Sequence, residues 1–191
     1  MRKFAASGHA TTPLLPLDLW VRGDDLVARL PAELASWLGE RGLLSKRIRA
    51  ASGAAVAVRV VEERLAFLSA EQQALLEAPA ASCVARRVAL VSAGRTWVYA
   101  ETLIPDHTLE LHPWLAELGD SSLGATLTAC GDLTRGPFEF APLPAAHPLA
   151  VQALGQVASG PQTVWARRSW FALSGRRLLI QEVFLPETLR C

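Results

Sequence analysis

The stretch RRLLIQEVFL, residues 176–185, predicts a β-strand, because an apolar run with Ile, Val and Phe follows the turn residues Ser174-Gly175. Side chains of a strand point alternately to opposite faces. One face would carry Leu178, Ile180, Glu182 and Phe184, and the other Leu179, Gln181, Val183 and Leu185. Both faces are mostly apolar, so both are expected to be buried. The Glu182 carboxylate therefore needs an explanation, because an unpaired charge in apolar surroundings is costly.

Hairpins dominate the rest of the chain from residue 53 onward. The runs 82–92 and 96–105 flank a turn at Ala93-Gly94-Arg95, and 163–173 precedes the Ser174-Gly175 turn, as in β-hairpins. Further strands are predicted at 54–68, 123–129 and 137–143, and a brief helix at 112–120. The absence of strand–helix–strand alternation favours an antiparallel sheet.

Two helices are predicted before the first of these strands, at 30–42 and 43–52. Pro31 suits a first helical turn, Leu34, Trp37 and Leu38 form an apolar stripe, and Gly39 or Gly42 can end the helix. Helices gathered before strands predict the α+β class, with one antiparallel sheet and the helices on one side of it.

The composition and charge of the chain exclude several classes of function. The 191 residues suit one domain over 1–191, with 1–13 a loose tail. A net charge of +1 gives no broad surface for nucleic acid or anionic lipid. No apolar run reaches the roughly 20 residues of a membrane span. The three cysteines and four histidines form no metal-ligand motif. These features predict a soluble cytoplasmic protein without metal.

Besides Glu182, a second charged residue on an apolar strand face lies in the predicted strand at 82–92. Alternation places Arg86 on one face with Val84, Val88 and Leu90, so this guanidinium should point inward. Two interpretations of the opposite charges remain open. Arg86 and Glu182 form a buried salt bridge, or both line a ligand cavity in which Arg86 binds a carboxylate. Periodicity does not decide between them.

These residues lie in segments that resemble the chorismate lyase family. The resemblance runs from about Trp37 to Leu189 and is carried by LLSKRIR, ARRVALVSAGRTWVYAETLIP, LAELGDSSLGATL, LTRGPFEFA and WARRSWFALSGRRLLIQEVFLP. It implies an antiparallel sheet with helical flaps over a buried ligand. It also implies removal of pyruvate from chorismate to give 4-hydroxybenzoate, the first committed step of bacterial ubiquinone biosynthesis. No cofactor is implied, since aromatisation drives the reaction.

The resemblance also implies the site residues. Arg86 and Glu182 match the family's binding arginine and carboxylate and are expected to be catalytic. The main-chain amides of Leu123 and Leu44 match those that hold the ligand's carboxylate. Arg135 and Arg168 are candidates for the enolpyruvyl carboxylate on charge alone.

An alternative function belongs to the same fold. Effector-sensing domains of some bacterial transcription regulators share it and bind small molecules without catalysis. A non-catalytic sensor or carrier of an aromatic carboxylate is therefore the second hypothesis. A monomer is expected in either case, although the apolar composition would also suit a dimer interface.

Overall fold

One antiparallel sheet of eight strands runs through residues 19–23 and 29–189, which are the residues that the computed structural model describes. The predicted tail at 1–13 lies outside them. The strands are β1 (Val21–Arg22), β2 (Val56–Phe67), β3 (Ser82–Ser92), β4 (Arg95–Pro105), β5 (Thr134–Arg135), β6 (Glu139–Pro144), β7 (Thr163–Leu173) and β8 (Arg176–Phe184). Their order is β1-β6-β7-β8-β4-β3-β2, and β5 pairs with β7. The predicted antiparallel sheet is confirmed, and β8 lies in its middle.

Six α-helices accompany the sheet in the described part of the chain. They are α1 (Ala32–Leu38), α2 (Leu44–Ser52), α3 (Ala70–Leu76), α4 (Asp106–Leu111), α5 (Leu123–Thr128) and α6 (Pro148–Leu154), with 3₁₀ turns at Pro113–Ala116 and Pro186–Leu189. The two predicted helices at 30–42 and 43–52 are confirmed as α1 and α2. None of the described helices is long and apolar enough to cross a membrane.

Both predicted hairpins are present, and each closes on two residues with positive φ. Ala93 and Gly94 have φ of 50° and 73°, and Ser174 and Gly175 have φ of 46° and 76°. Two such residues in succession make the type I′ turn, whose twist matches that of the flanking strands. The β7–β8 turn sets Leu173 opposite Arg176 and thereby fixes the register of the whole hairpin.

The strand predicted at 123–129 is wrong, because this segment forms α5. Ser122 is the N-cap of the helix, and its side chain accepts a hydrogen bond from the Ala125 N–H at 3.4 Å. A serine oxygen at this position satisfies one of the N–H groups that a helix start leaves without a partner. Leu127, a residue of this helix, is fully buried. The cap and this packing outweigh the weak strand pattern.

The helices lie on both faces of the sheet, so the expectation of helices on one side is wrong. On one face α1 and α2 pack against Val98 and Phe184, and we call this the cavity face. On the other face α6 packs against Tyr99 and Val183. Because Tyr99 and Val183 alternate with Val98 and Phe184 along β4 and β8, apolar side chains on both faces require cover.

Candidate active site

A cavity of about 600 Å³ lies between the cavity face of the sheet and the first turns of α2 and α5. Its volume is within the range of small-molecule sites, about 300–1,000 Å³. Val88, Ala100 and Ile180 contribute an apolar wall from β3, β4 and β8. A flat apolar molecule can therefore lie against the sheet while its polar groups reach the rim.

The charged side chains that line the cavity are mostly cationic. The cations are Arg41, Lys46, Arg86, Arg135 and Arg167, and the one carboxylate among the lining residues is Glu182. This excess of positive charge contrasts with the near-neutral chain, whose net charge is +1. The cavity is therefore suited to an anion, and to a dianion more than to a monoanion.

Arg86 is buried, as the alternation predicted, with 2% of its side chain exposed. It pairs with Glu63 across the β2–β3 register. Nη2 donates to the carbonyl oxygen of Gly119 at 2.7 Å and to that of Ser121 at 3.5 Å. Since a guanidinium has five N–H donors, these contacts leave donors for a ligand. They also tie Arg86 to the segment that leads into α5.

Glu182 does not pair with Arg86, so of the two interpretations that the sequence left open, the Arg86–Glu182 salt bridge is wrong. Glu182 Oε2 accepts from Nε of Arg167 at 2.6 Å, and these two residues face each other in the β7–β8 register. Both Arg86 and Glu182 nevertheless line the cavity. The charges that the sequence placed on apolar faces are thus brought to one site, each with a different protein partner.

The two charges lie at separate positions on the cavity face. Arg86 is opposite Thr102 on β4, and Thr102 is opposite Ile180 on β8, two residues before Glu182. Two strand spacings and two residues along a strand correspond to roughly 12 Å between the two Cα atoms. Two long side chains at this distance can converge on opposite ends of a six-membered ring.

Leu44 and Leu123 line the cavity at the first helical residues of α2 and α5. The first N–H groups of a helix have no carbonyl partner within it. The N–H groups that do find one begin two or three residues later, at Lys46 in α2 and Thr126 in α5. Both of the main-chain positions expected from the sequence are therefore at the cavity.

Arg135 lines the cavity, whereas Arg168 does not. Arg168 points to the opposite face of β7, where it pairs with Glu139 at 2.7 Å and with Glu71. The expectation that Arg168 is a candidate for the enolpyruvyl carboxylate is therefore wrong. Its neighbour Arg167 occupies the cavity face instead, because adjacent strand residues point in opposite directions.

Arg135 is held without a carboxylate partner among the described residues. Nε donates to Ser169 Oγ at 3.1 Å, Nη1 donates to the carbonyl oxygen of Arg41 at 3.3 Å, and the guanidinium lies 4.0 Å from the centre of the Phe138 ring. Burial, followed by the nearby Arg167 charge, lowers the pKa of Arg135 to about 10. An anion bound in the cavity would stabilise the positive charge of Arg135, which burial and Arg167 disfavour.

The sequence interpretation did not assign Arg167, which lines the cavity, or Glu63, which pairs with Arg86. The signal for Arg167 was present, because a two-residue turn at Ser174-Gly175 pairs Leu173 with Arg176 and, counting outward, Arg167 with Glu182. Glu63 had no comparable signal. A register shift between Val60 and Glu62 changes which residues of β2 point to the cavity face.

Sequence comparisons with known proteins agree on one family. The model of the chorismate lyase family matches residues 14–190. A probable chorismate pyruvate-lyase of Methylococcus capsulatus is 36% identical, over 82% of this chain and 96% of that protein. A protein of the same description from Cupriavidus metallidurans is 32% identical, over 99% of this chain and 84% of its own length.

Solved structures match at lower identity. The effector domain of PhnF from Mycobacterium smegmatis has a TM-score of 0.53 and 18% identity, and covers 76% of this chain and 90% of its own. The PhnF C-terminal domain has a TM-score of 0.55 and 15% identity, and covers 76% and 89%. At such identities the likeness concerns the fold alone.

Proposed function

Because this chain belongs to the chorismate lyase family, we propose that it removes pyruvate from chorismate and releases 4-hydroxybenzoate in the cavity between the sheet, α2 and α5. The observation that carries the proposal is the meeting of Arg86 and Glu182 in one cationic cavity. Chorismate has a ring carboxylate and, at the opposite ring position, a hydroxyl group. The two residues match these two ends.

Arg86 binds the ring carboxylate together with the main-chain amides of Leu44 and Leu123. The guanidinium presents several N–H donors in fixed directions, and the helix starts add donors with a partial positive charge. Because Arg86 is already tied to the carbonyls of Gly119 and Ser121, its direction is set before the ligand arrives. A donor that needs no reorganisation binds and orients the ring more effectively.

Glu182 meets the hydroxyl group at the other end of the ring. Oε2 accepts from Arg167, and Oε1 accepts from the hydroxyl. The ring proton on the hydroxyl-bearing carbon lies beside this carboxylate. In the reaction that proton leaves, its electron pair completes the aromatic ring, the bond from the neighbouring carbon to the ether oxygen breaks, and the enolpyruvate takes up a proton to become pyruvate.

Arg135 binds the enolpyruvyl carboxylate. It lies on the cavity, carries a charge that burial and Arg167 disfavour, and has no carboxylate partner among the described residues. The leaving group departs as an anion, so a cation here stabilises the charge as the ether bond breaks. No metal or organic cofactor is required, because formation of the aromatic ring drives the elimination.

The helices α2 and α5, with the segments that precede them, serve as the flaps over this ligand. Each flap contributes its first amide to the ring carboxylate, and release of the product requires that they open. Product release is then a slow step. The cytoplasmic location and the monomeric state expected from the sequence are part of the same proposal.

The test is turnover. The purified protein is incubated with chorismate without added metal or nucleotide, and 4-hydroxybenzoate and pyruvate are both measured. We expect equal amounts from the wild type and a loss of about 100-fold or more in folded Arg86→Met and Glu182→Gln. Arg95→Met and Glu187→Gln are matched controls, because this ion pair, joined at 2.9 Å, lies outside the cavity.

Two outcomes contradict the proposal. Tight binding of 4-hydroxybenzoate without turnover would identify a sensor or carrier of an aromatic carboxylate. Turnover that survives in both Arg86→Met and Glu182→Gln would place the reaction away from these residues.

A further inference from the structure

Arg167 is among the most deeply buried charged side chains of the described chain, with 1% of its surface exposed. It packs against two aromatic rings, with the guanidinium carbon 4.5 Å from the centre of the Phe138 ring and 5.4 Å from that of the Phe184 ring. A charge so far from water needs fixed partners. Its Nε finds one in Oε2 of Glu182, at 2.6 Å.

The other end of the guanidinium holds the backbone of a flap. Nη1 donates to the carbonyl oxygen of Leu38 at 2.9 Å and also contacts that of Glu40. Leu38 is the last residue of α1, and Glu40 lies in the short link to Leu44, the first residue of α2. One side chain therefore joins the Glu182 carboxylate to the segment that brings the Leu44 amide to the cavity.

Arg86 has the same arrangement on the other side of the cavity. It pairs with Glu63 and donates to the carbonyls of Gly119 and Ser121, which precede the Leu123 amide. Each of the two helix starts at the cavity is thus fastened from the sheet by an arginine.

We propose that Arg167 is a positioning residue for the reaction, which aims the Glu182 carboxylate and holds the α1–α2 segment over the same ligand. The inference rests on the proposed function for its substrate. The site is then assembled as a unit, because a displacement of the α1–α2 segment also displaces Glu182.

Arginine suits this role better than lysine. The planar guanidinium directs Nε and Nη1 to different partners at fixed angles, whereas an ammonium is a single point of charge at the end of a flexible chain. Arg167→Lys keeps a cation beside Glu182 and avoids leaving the carboxylate buried alone. It can reach the carboxylate or the backbone carbonyls, and not both in the original geometry.

The first test is a double-mutant cycle with Arg167→Lys and Glu182→Gln. In the wild-type background we expect Arg167→Lys to lower kcat about 10- to 100-fold, since a displacement of about 1 Å has effects of this size. In the Glu182→Gln background the same substitution should lower kcat less than about 3-fold, because the part of its effect on kcat that passes through Glu182 is already lost there. A role in stability alone predicts the same factor in both backgrounds, and that result would overturn the proposal.

The second test does not depend on turnover. Hydrogen exchange of backbone amides is compared in Arg167→Lys and in the matched variant Arg86→Lys. We expect faster exchange at residues 40–46 in Arg167→Lys and at 119–126 in Arg86→Lys. Exchange that rises equally at both segments in both variants, or at neither, would contradict the proposal.

The two tests separate failure of the inference from failure of the proposed function. If chorismate is not turned over, the same cycle is measured as affinity for 4-hydroxybenzoate, whose hydroxyl also requires Glu182. Coupling in binding then supports the role of Arg167 without a lyase. Where Arg167→Lys does not fold, Arg167→Gln, which retains donors without a charge, replaces it in the cycle.

Discussion

Arg135 shows how a binding site can be built at the expense of stability. Burial and the neighbouring charges of Arg167 and Arg41 lower the pKa of Arg135 to about 10, although Glu182 opposes them. The ligand-free protein therefore holds a cation in surroundings that disfavour the charge. Because the folded-state pKa lies below its ordinary value, this destabilisation is fully present at neutral pH, where the guanidinium is charged in both the folded and the unfolded state.

Replacement of Arg135 by methionine should separate these two effects. We expect Arg135→Met to raise the Tm of the ligand-free protein by about 2–4 °C, the shift for about 1 kcal/mol in a chain of this size. The same variant should raise the KM for chorismate at least about 10-fold, because the enolpyruvyl carboxylate loses a charged hydrogen bond.

The measurements are thermal unfolding at neutral pH and steady-state kinetics. Arg135→Lys is the control, since it keeps the charge and should raise neither the Tm nor the KM to the same extent. A lower Tm with an unchanged KM in Arg135→Met would show that Arg135 is a structural cation.

At the same scale, strand alternation predicted the inward direction of Arg86 and the apolar surroundings of Glu182 from the sequence. It did not predict their partners, because alternation assigns a face and gives no information on neighbours across strands. The turn at Ser174-Gly175 contains that information for Arg167, which lies opposite Glu182, but the sequence interpretation did not use it. For Glu63 the irregular register of β2 concealed it.

The two flap helices offer a test at the scale of secondary structure. Leu44 and Leu123 are first helical residues, a position where proline is tolerated and where its missing N–H disturbs no helical hydrogen bond. The residues before them, Leu43 and Ser122, have ψ of 118° and 109°, which suits a residue that precedes proline. Proline therefore removes the proposed amide donor and leaves the helix intact.

We expect Leu44→Pro and Leu123→Pro each to weaken binding of 4-hydroxybenzoate about 10- to 100-fold, the contribution of one hydrogen bond to a charged group. Leu44→Ala and Leu123→Ala keep the N–H and serve as controls for the loss of the side chain. Calorimetric titration measures the affinities, and circular dichroism checks the fold. If the alanine variants weaken binding as much as the proline variants, the side chains and not the amides contact the ligand.

Secondary structure was predicted well where strands are long and end in two-residue turns, as in β3–β4 and β7–β8. It failed for three short helices. α5 was expected as a strand, and α4 and α6 were not predicted, because six or seven residues give few turns for a helical period to emerge. α1 is equally short, and it was predicted because Pro31 and Gly39 mark its two ends. The stability of the short helices comes from caps and packing, such as Ser122 at α5 and the buried Leu149 of α6.

For the molecule as a whole, the uneven distribution of charge matters more than the net charge. The chain carries +1 overall, while five cationic side chains and one carboxylate line the cavity. Lys46 is exposed at its rim, and Arg86 and Arg167 are buried. Such a site attracts anions over a distance that added salt shortens.

We therefore expect kcat/KM for chorismate to fall between about 0.01 and 0.1 M salt, as the Debye length shortens from about 30 Å to about 10 Å. The affinity for the monoanion 4-hydroxybenzoate should fall less steeply than that for the dianionic substrate. Lys46→Met should flatten the salt dependence of kcat/KM, because exposed charges are screened the most. A slope that is the same for both ligands, or unaffected by Lys46→Met, would contradict an electrostatic contribution.

The architecture was also predicted in part at this scale. The hairpins predicted the single antiparallel sheet. They did not predict that helices cover both of its faces. The apolar residues on each side of β8 already required it, since Leu179 and Val183 are as fully buried as Leu178. The number and order of helices along the chain gave no indication of how they divide between the faces of the sheet.

The most direct test of the central claim, that Arg86 and Glu182 bind opposite ends of one aromatic ring, is to compare 4-hydroxybenzoate with benzoate. Calorimetric titration of the wild type should give about 10- to 100-fold tighter binding of the hydroxylated ligand. Glu182→Ala should abolish this preference, and Arg86→Met should weaken both ligands by the same factor. If Glu182→Ala retains the preference, or if both variants weaken both ligands equally, the two residues do not hold opposite ends of the ring.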